Sequence, residues 1–258
     1  MGSGKGAASP WDLRAWDWAM YEENLNGDAY DRVFQLTGVG EGTDLLDVAC
    51  GSGLALQRAV ARGAACTGVD MSKELLRIAA ERAPSARLLH CDMEATGLPD
   101  TSFDVVTSFN GIQFGGASAV AECARLLRSG GLMALAFWQD PGDYKAYFAA
   151  IAACSPPSAP GATTPMALRE PGAAESLLES GGLSIVDRGT TVVRGLYRDA
   201  DDARRGLSSS GPAMGAVTHA GEDAFLAHLL PVIAQYEDPD SGRVSMTATF
   251  GYAIGRRP

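Results

Sequence analysis

The sequence predicts an α/β protein: a doubly wound, mostly parallel sheet with helices on both faces. Three observations carry that expectation. Short apolar runs of strand length alternate with longer segments of helical periodicity between residues 44 and 138. The first run, Leu45-Leu46-Asp47-Val48-Ala49, passes into a glycine turn, Cys50-Gly51-Ser52-Gly53, and then into a helix. The second run, Cys66-Thr67-Gly68-Val69-Asp70, ends in an acid. Strands that alternate with helices pair in parallel, because a right-handed crossover lays each helix back on the sheet.

The elements follow in order. Met1 to Pro10 is rich in Gly, Ser and Ala and reads as a disordered N-terminus. From Trp11 to Leu36 the pattern is helical and aromatic-rich, with Asn26-Gly27 as a break. Leu54, Leu56, Ala59 and Val60 form the apolar face of the helix after the glycine turn. Ser72 caps a helix through Glu81, with Leu75, Leu76, Ile78 and Ala79 facing inward. Arg87–Cys91 is a third strand, ended by Asp92, and Phe103–Phe109 is a fourth. A helix over Ala117–Leu127 stops at Ser129-Gly130-Gly131, a turn that feeds the strand Leu132–Trp138. Beyond residue 140 the alternation weakens. Ser155–Pro165 reads as a Pro-rich loop, Leu183–Leu196 as a strand, 199–236 as helices broken at Ser208–Pro212, and Val244–Ile254 as the last strand.

The organisation expected is a single domain over 11–258. It comprises a helical cap (11–36), a cofactor-binding core (40–140), a substrate lid that contributes one strand (141–243) and the last strand (244–258). A hydrophobic share of 46% in 258 residues supports a sizeable core and excludes a disordered chain. The net charge of −10, with no basic patch, argues against a nucleic-acid partner. Five cysteines without a CxxC pair read as reduced thiols of a cytoplasmic protein. The apolar run Leu132–Trp138 is too short to span a bilayer, so no membrane partner is expected. No HxH, CxxC or HExxH spacing supports a metal, and no Gly-x-Ser-x-Gly marks a nucleophile elbow. Monomer and homodimer both remain open.

A strand, a glycine turn and a helix present backbone N–H groups to a ligand, and an acid at the end of the next strand accepts from ribose hydroxyls. A nucleoside ligand is therefore expected. A dinucleotide would want GxGxxG/A, but Leu56 stands at the third place. Asp47, just before the loop, would repel a diphosphate and suits a ligand with positive charge. S-adenosylmethionine has an ammonium, a sulfonium and no phosphate.

At these residues the chain resembles class I S-adenosylmethionine-dependent methyltransferases. Leu45 to Gly53 is similar to their first motif, Gly68-Val69-Asp70-Met71-Ser72 to the second and Cys91-Asp92-Met93-Glu94 to the adenine-binding motif. Leu98-Pro99-Asp100 with Phe103-Asp104-Val105-Val106, and Leu126 to Gly131, look like the fourth- and fifth-strand signatures. The nearest subfamily is the ubiquinone/menaquinone-biosynthesis type, which includes many bacterial methyltransferases of secondary metabolism. Ala49 departs from the glycine usual in the family.

The resemblance implies a Rossmann-like, seven-stranded sheet with the last strand antiparallel and a helical lid. It implies a cofactor site of Tyr21, Asp47, Ala49, Gly51, Gly53, Asp70, Met71, Asp92, Met93 and Phe109. Ala49 and Gly51 would pass the methionine portion and Asp70 would hold the ribose. Met71 would pack on the adenine, Asp92 would accept from its amino group and the Met93 backbone would read its ring. The Phe109 carbonyl would meet the ammonium, and Tyr21 the carboxylate. S-adenosylhomocysteine would be the product, and a small aromatic or natural-product metabolite the acceptor. The alternative is a protein of this fold that binds S-adenosylmethionine but runs a non-methylating cyclisation, or only binds.

The acceptor should lie outside the carboxyl ends of the strands, under the cap and the 140–240 region. Trp16, Trp18, Gln113, Phe114, Trp138, Tyr144, Phe148, Met166, Tyr197 and Met214 are the candidates to line that site. His219 is the candidate proton acceptor, since His90 falls inside a strand and His228 on an apolar helix face.

Overall fold

A computed structural model describes residues 9–157 and 163–258. Most of the expected disordered N-terminus (1–8) and part of the Pro-rich loop (158–162) lie outside the described residues. Ser9 and Pro10 are ordered: Ser9 caps a 3₁₀ turn, Pro10–Asp12, in a reciprocal capping box with Asp12.

The sheet has seven strands in the order β3-β2-β1-β4-β5-β7-β6. These are β1 Asp44–Val48, β2 Ala65–Asp70, β3 Arg87–His90, β4 Phe103–Phe109, β5 Leu127–Asp140, β6 Ser184–Tyr197 and β7 Val244–Arg256. The strands from β3 across to β5 pair in parallel, and β7 runs antiparallel to both β5 and β6. In β1, Leu45, Leu46, Asp47 and Val48 are all buried, as a central strand covered on both faces requires. The chain moves outward from β1 to β2 and β3, then returns to β4 on the other side. That reversal opens a crevice at the carboxyl ends of β1 and β4.

Helices cover both faces. Val120, Cys123 and Leu126 of the helix Gly116–Leu126, with Leu178, pack against Met133 and Leu135 of β5. On the other face Phe225, Leu229 and Ile233 of the helix Glu222–Gln235 join Tyr144, Phe250 and Met246. The first half of the chain closes its own core with Tyr30, Phe34, Leu45, Leu56 and Ala59. No helix among the described residues is long and apolar enough to cross a membrane.

Two local expectations need correction. Ser129-Gly130-Gly131 does not end before β5 but lies within it, because Gly130 N–H donates to the Arg257 carbonyl (2.9 Å) and Arg257 N–H to that of Gly131 (2.9 Å). Asn26-Gly27 does not break the cap: a 3₁₀ turn, Glu23–Asn26, leads directly into the helix Gly27–Thr37. The expected break between helices falls at Ser208–Ser210, with Gly211 and Pro212 opening the next helix, and the break is buried. Ser210 caps the helix Gly211–Ala220 by accepting from Ala213 N–H (3.2 Å).

Candidate active site

The site is built where β1, β2 and β4 end. After Val48 the chain turns sharply, with Ala49 at φ 58°, Gly51 at φ 55° and Gly53 at φ 79°. A Cβ on Gly53 would sit 2.8 Å from the Ala79 Cβ, so this glycine serves the close packing of two helices. A Cβ on Gly111, after β4, would lie 2.4 Å from the Cβ of Ala49. The two strand ends therefore meet through a single methyl group. Asp70 closes the turn: its Oδ2 accepts from Gly51 N–H (2.8 Å) and its Oδ1 from Ser72 N–H (2.8 Å).

The N-terminal cap is latched onto this turn. The chain runs through an α turn at Ala15–Asp17, a π turn at Trp18–Glu22 and the 3₁₀ turn at Glu23–Asn26. The buried Glu23 carboxylate accepts from the Ser52 hydroxyl and from Arg82, which also donates to the Ala19 carbonyl. Asn26 Nδ2 donates to the Glu23 carbonyl (3.1 Å), and Asn110 Nδ2 donates to Asn26 Oδ1 (2.9 Å).

Between the N-terminal segment, the strand ends and residues of the 141–243 region lies a cavity of about 300 Å³. Ala49, Cys50, Gly51, Asp70, Met71, Cys91 and Met93 border one part of it, and Trp138, Tyr147, Phe148, Pro165, Ser210 and Pro212 another. Asp47, Glu22, Glu23, Trp18, Phe109 and Asn110 also face it. The aromatic wall is tightly arranged: Trp138 meets Phe148 edge-on at 5.0 Å and Phe250 at 4.7 Å.

The electrostatics of the cavity are one-sided. Burial raises Asp47 from 3.8 to about 8, against the lowering effect of the Thr107 hydroxyl that donates to its Oδ1 (2.7 Å). Burial raises Glu22 from 4.5 to about 7, partly offset by the Tyr197 hydroxyl, which donates to its Oε2 (2.7 Å). Burial also raises Asp70 and Glu23, although Arg82 stands beside Glu23. A cluster of this kind disfavours further anions and favours a cationic ligand. Among the described residues Asn110 Oδ1 is buried without a hydrogen-bond partner, so it is available to accept from a ligand. Both features fit the ammonium and sulfonium of S-adenosylmethionine. Among the described residues no group of His, Cys, Asp and Glu is arranged to hold a metal ion.

Several residues expected here lie elsewhere. Tyr21 turns away from the cavity, and its hydroxyl accepts from Arg205 (2.9 Å). Trp16 is half exposed on the outer face of the cap. Asp92 is exposed beside the lining residues Cys91 and Met93, with Oδ1 held by Glu94 N–H (2.9 Å). Gln113 is buried under the turn after β4, where its Nε2 donates to the Asn110 carbonyl (2.9 Å). Tyr144 and Met214 are core residues, and Met166 packs against that core. His219 is exposed in the last turn of its helix, outside the cavity, which removes the geometric basis for a base there. Trp18, Phe114, Trp138 and Phe148 do reach the cavity. Sequence reasoning missed Glu22, Glu23, Asn26, Tyr147 and Ser210. The adjacent acids of Glu22-Glu23 in an otherwise aromatic, inward-facing segment were the available signal.

Residues 46–135 match a family described as the methyltransferase domain. The chain is 36% identical over 115 residues to a ubiquinone biosynthesis O-methyltransferase of Alkalilimnicola ehrlichii, a match covering 42% of this chain and 47% of that protein. It is 36% identical over 110 residues to a demethylmenaquinone methyltransferase of Staphylococcus aureus, strain JH9, covering 40% and 46%. The matched region thus spans just under half the length of these relatives. Among solved structures, the [4+2]-cyclase SpnF shares the fold with a TM-score of 0.56, over 90% of this chain and 80% of that one, at 19% identity.

Proposed function

We propose, from the premise that residues 46–135 are a methyltransferase domain of the class I, S-adenosylmethionine-dependent kind, that this protein methylates a small aromatic acceptor. The observation that carries the reading is the continuity of one cavity from the glycine turn and Asp70 to the aromatic wall of Trp138, Tyr147 and Phe148. The cofactor supplies a methyl group already activated by its positive sulfur. Everything else falls to the chain. Asp70 stands at the end of β2, where a ribose is expected, and the side chains of Met71 and Met93 offer polarizable surface to the adenine. Asp47, Asn110 and the end of β4 surround the place for the ammonium. The aromatic wall orients a planar acceptor, and alignment of this kind is worth ~7–11 kcal/mol in well-ordered sites. Trp18 and the Ser210–Pro212 segment exclude water from above.

The test has two parts. Calorimetry should give binding of S-adenosylmethionine and S-adenosylhomocysteine and none of NAD. A screen of aromatic metabolites should then give S-adenosylhomocysteine as product, whereas a non-methylating cyclisation would leave the cofactor intact. Tight NAD binding with no response to S-adenosylhomocysteine would refute the reading.

A further inference from the structure

We propose that Glu22 is the proton acceptor of this site, serving a methyl acceptor that carries a phenol-type hydroxyl. The inference rests on the methyltransferase reading above and adds to it a residue and an acceptor class.

Glu22 ends the π turn of the cap and faces the cavity while only 4% exposed. A buried carboxylate that no cation pairs is held at a cost and readily takes up a proton. Among the described residues, none of the charged groups packed around Glu22 neutralises it. Glu23, its neighbour, is occupied by Arg82. On the helix Ala200–Leu207, Arg205 is bound to Asp17 and Tyr21, and Asp202 to Arg198. From β6 comes Tyr197, which donates to Glu22 at 2.7 Å. From the segment after β5 come Tyr144, whose hydroxyl is 3.3 Å from that of Tyr197, and Tyr147, which is bonded to Ser210 (2.8 Å).

The surroundings are shaped to hold this arrangement. A Cβ on Gly206 would come within 3.1 Å of Glu22 Oε2, and one on Gly195 within 2.0 Å of the Tyr144 hydroxyl. Tyr144 in turn meets Trp138 edge-on at 5.3 Å. Glu22 is thereby joined to the aromatic wall, through Tyr197 and Tyr144. A planar aromatic ring fits that wall, and the polar group it must bring to Glu22 is a proton donor.

A phenol hydroxyl is a poor nucleophile until its proton is taken. In the step proposed, the acceptor O–C bond forms as the methyl–sulfur bond breaks, and that electron pair stays on sulfur. The hydroxyl proton passes to a Glu22 carboxylate oxygen and leaves to solvent after the product. A base titrating near neutrality suits this transfer, and burial puts Glu22 at about 7. The ionised form is the active one, so the rate should rise with pH through that value.

The experiment uses 4-nitrophenol, other substituted phenols and Glu22→Gln, which keeps the side-chain shape and can still accept from Tyr197. S-adenosylhomocysteine formation should show a limb rising near pH 7 in the wild type. It should fall ~10²–10⁴-fold in Glu22→Gln and lose that limb. Tyr197→Phe removes a donor that stabilises the carboxylate, so it should move the limb to higher pH. Independently of turnover, 4-nitrophenol bound with S-adenosylhomocysteine should ionise about one pH unit higher in the wild type than in Glu22→Gln, because a neighbouring carboxylate opposes a phenolate. Equal rates and dye midpoints in wild type and Glu22→Gln would overturn the proposal. A wild type that binds S-adenosylhomocysteine but neither binds nor methylates any phenol would overturn the acceptor class. Failure to bind S-adenosylhomocysteine at all would instead refute the methyltransferase reading itself.

Discussion

Asp47→Asn should make the ligand-free protein less sensitive to alkali. In the folded chain Asp47 is 2% exposed and its acid is raised from 3.8 to about 8. A carboxyl group raised in this way binds a proton in the folded state that the unfolded chain has already released. Its contribution to stability is therefore complete below about pH 4 and is lost as pH rises through about 8. Within that window each pH unit removes about 1.36 kcal/mol. Glu22, raised from 4.5 to about 7, adds a parallel slope over part of the same range. From pH 5 to pH 7 the wild type should lose roughly 5 kcal/mol from the two acids together, and Asp47→Asn about half of that. Asparagine mimics the protonated acid and keeps an acceptor for the Thr107 hydroxyl, so the comparison isolates the charge. Carboxylates with lowered values, such as Glu122 at about 2, titrate below the chosen interval and do not contribute. Urea unfolding followed by tryptophan fluorescence at pH 5, 6, 7 and 8 measures the slopes. Parallel wild-type and mutant curves would show that Asp47 is ionised in the folded protein and that the cavity is not the desolvated acid cluster described above.

Two further outcomes follow from the same site. Arg82→Met removes the cation beside the buried Glu23, and unpairing a buried carboxylate should destabilise the chain by about 3–5 kcal/mol. The loss should be greatest at pH 8 and smaller at pH 5, where Glu23 can protonate; a pH-independent loss would point to packing alone. Asp70→Ala removes the acceptor for Gly51 N–H and the expected ribose partner, and should weaken S-adenosylhomocysteine binding by roughly 1.5–3 kcal/mol in calorimetry. An unchanged affinity would place the ribose elsewhere.

The sheet was legible because each of its early signals is local. Leu45 to Gly53 contains the strand, the turn and the helix start together, and Asp70 marks the end of the next strand. The lid was less legible, since its inward faces depend on how distant segments pack. Tyr21 illustrates the difficulty. A regular helical period through the cap gives no reason to choose Glu22 over Tyr21, but the π turn at Trp18–Glu22 changes the phase. It directs Trp18 and Glu22 to the cavity and leaves Tyr21 for Arg205. In sequence His219 lies off any strand or apolar helix face, and that pattern does not separate the lining of a cavity from open solvent. Ser208–Ser210 breaks the helices as its composition implies, yet it lies inside the protein, where Ser210 is bonded to Tyr147 and caps the next helix and Ser209 donates to the Gly206 carbonyl.

Ala49 provides a last test of how the two halves of the crevice meet. Among the described residues it is one of three non-glycine residues at positive φ, and Asn110 across the crevice is another, at 57°. A left-handed alanine costs about 1–2 kcal/mol, so Ala49→Gly should relieve strain. The greater freedom of glycine in the unfolded chain offsets about 0.5–1 kcal/mol of that, leaving a small net gain. Gly111 has φ −119°, which any residue tolerates, so its constraint is the 2.4 Å approach to the Ala49 methyl. Gly111→Ala alone should therefore cost about 1–3 kcal/mol by overpacking. With Ala49→Gly present, the nearest remaining obstacles to a Cβ at 111 are Ser108 Oγ at 3.3 Å and the Val48 carbonyl at 3.7 Å, and most of the cost should disappear. A double-mutant cycle in urea should give a favourable coupling above about 1 kcal/mol. Additive effects would mean that the ends of β1 and β4 are held apart by something other than this methyl group.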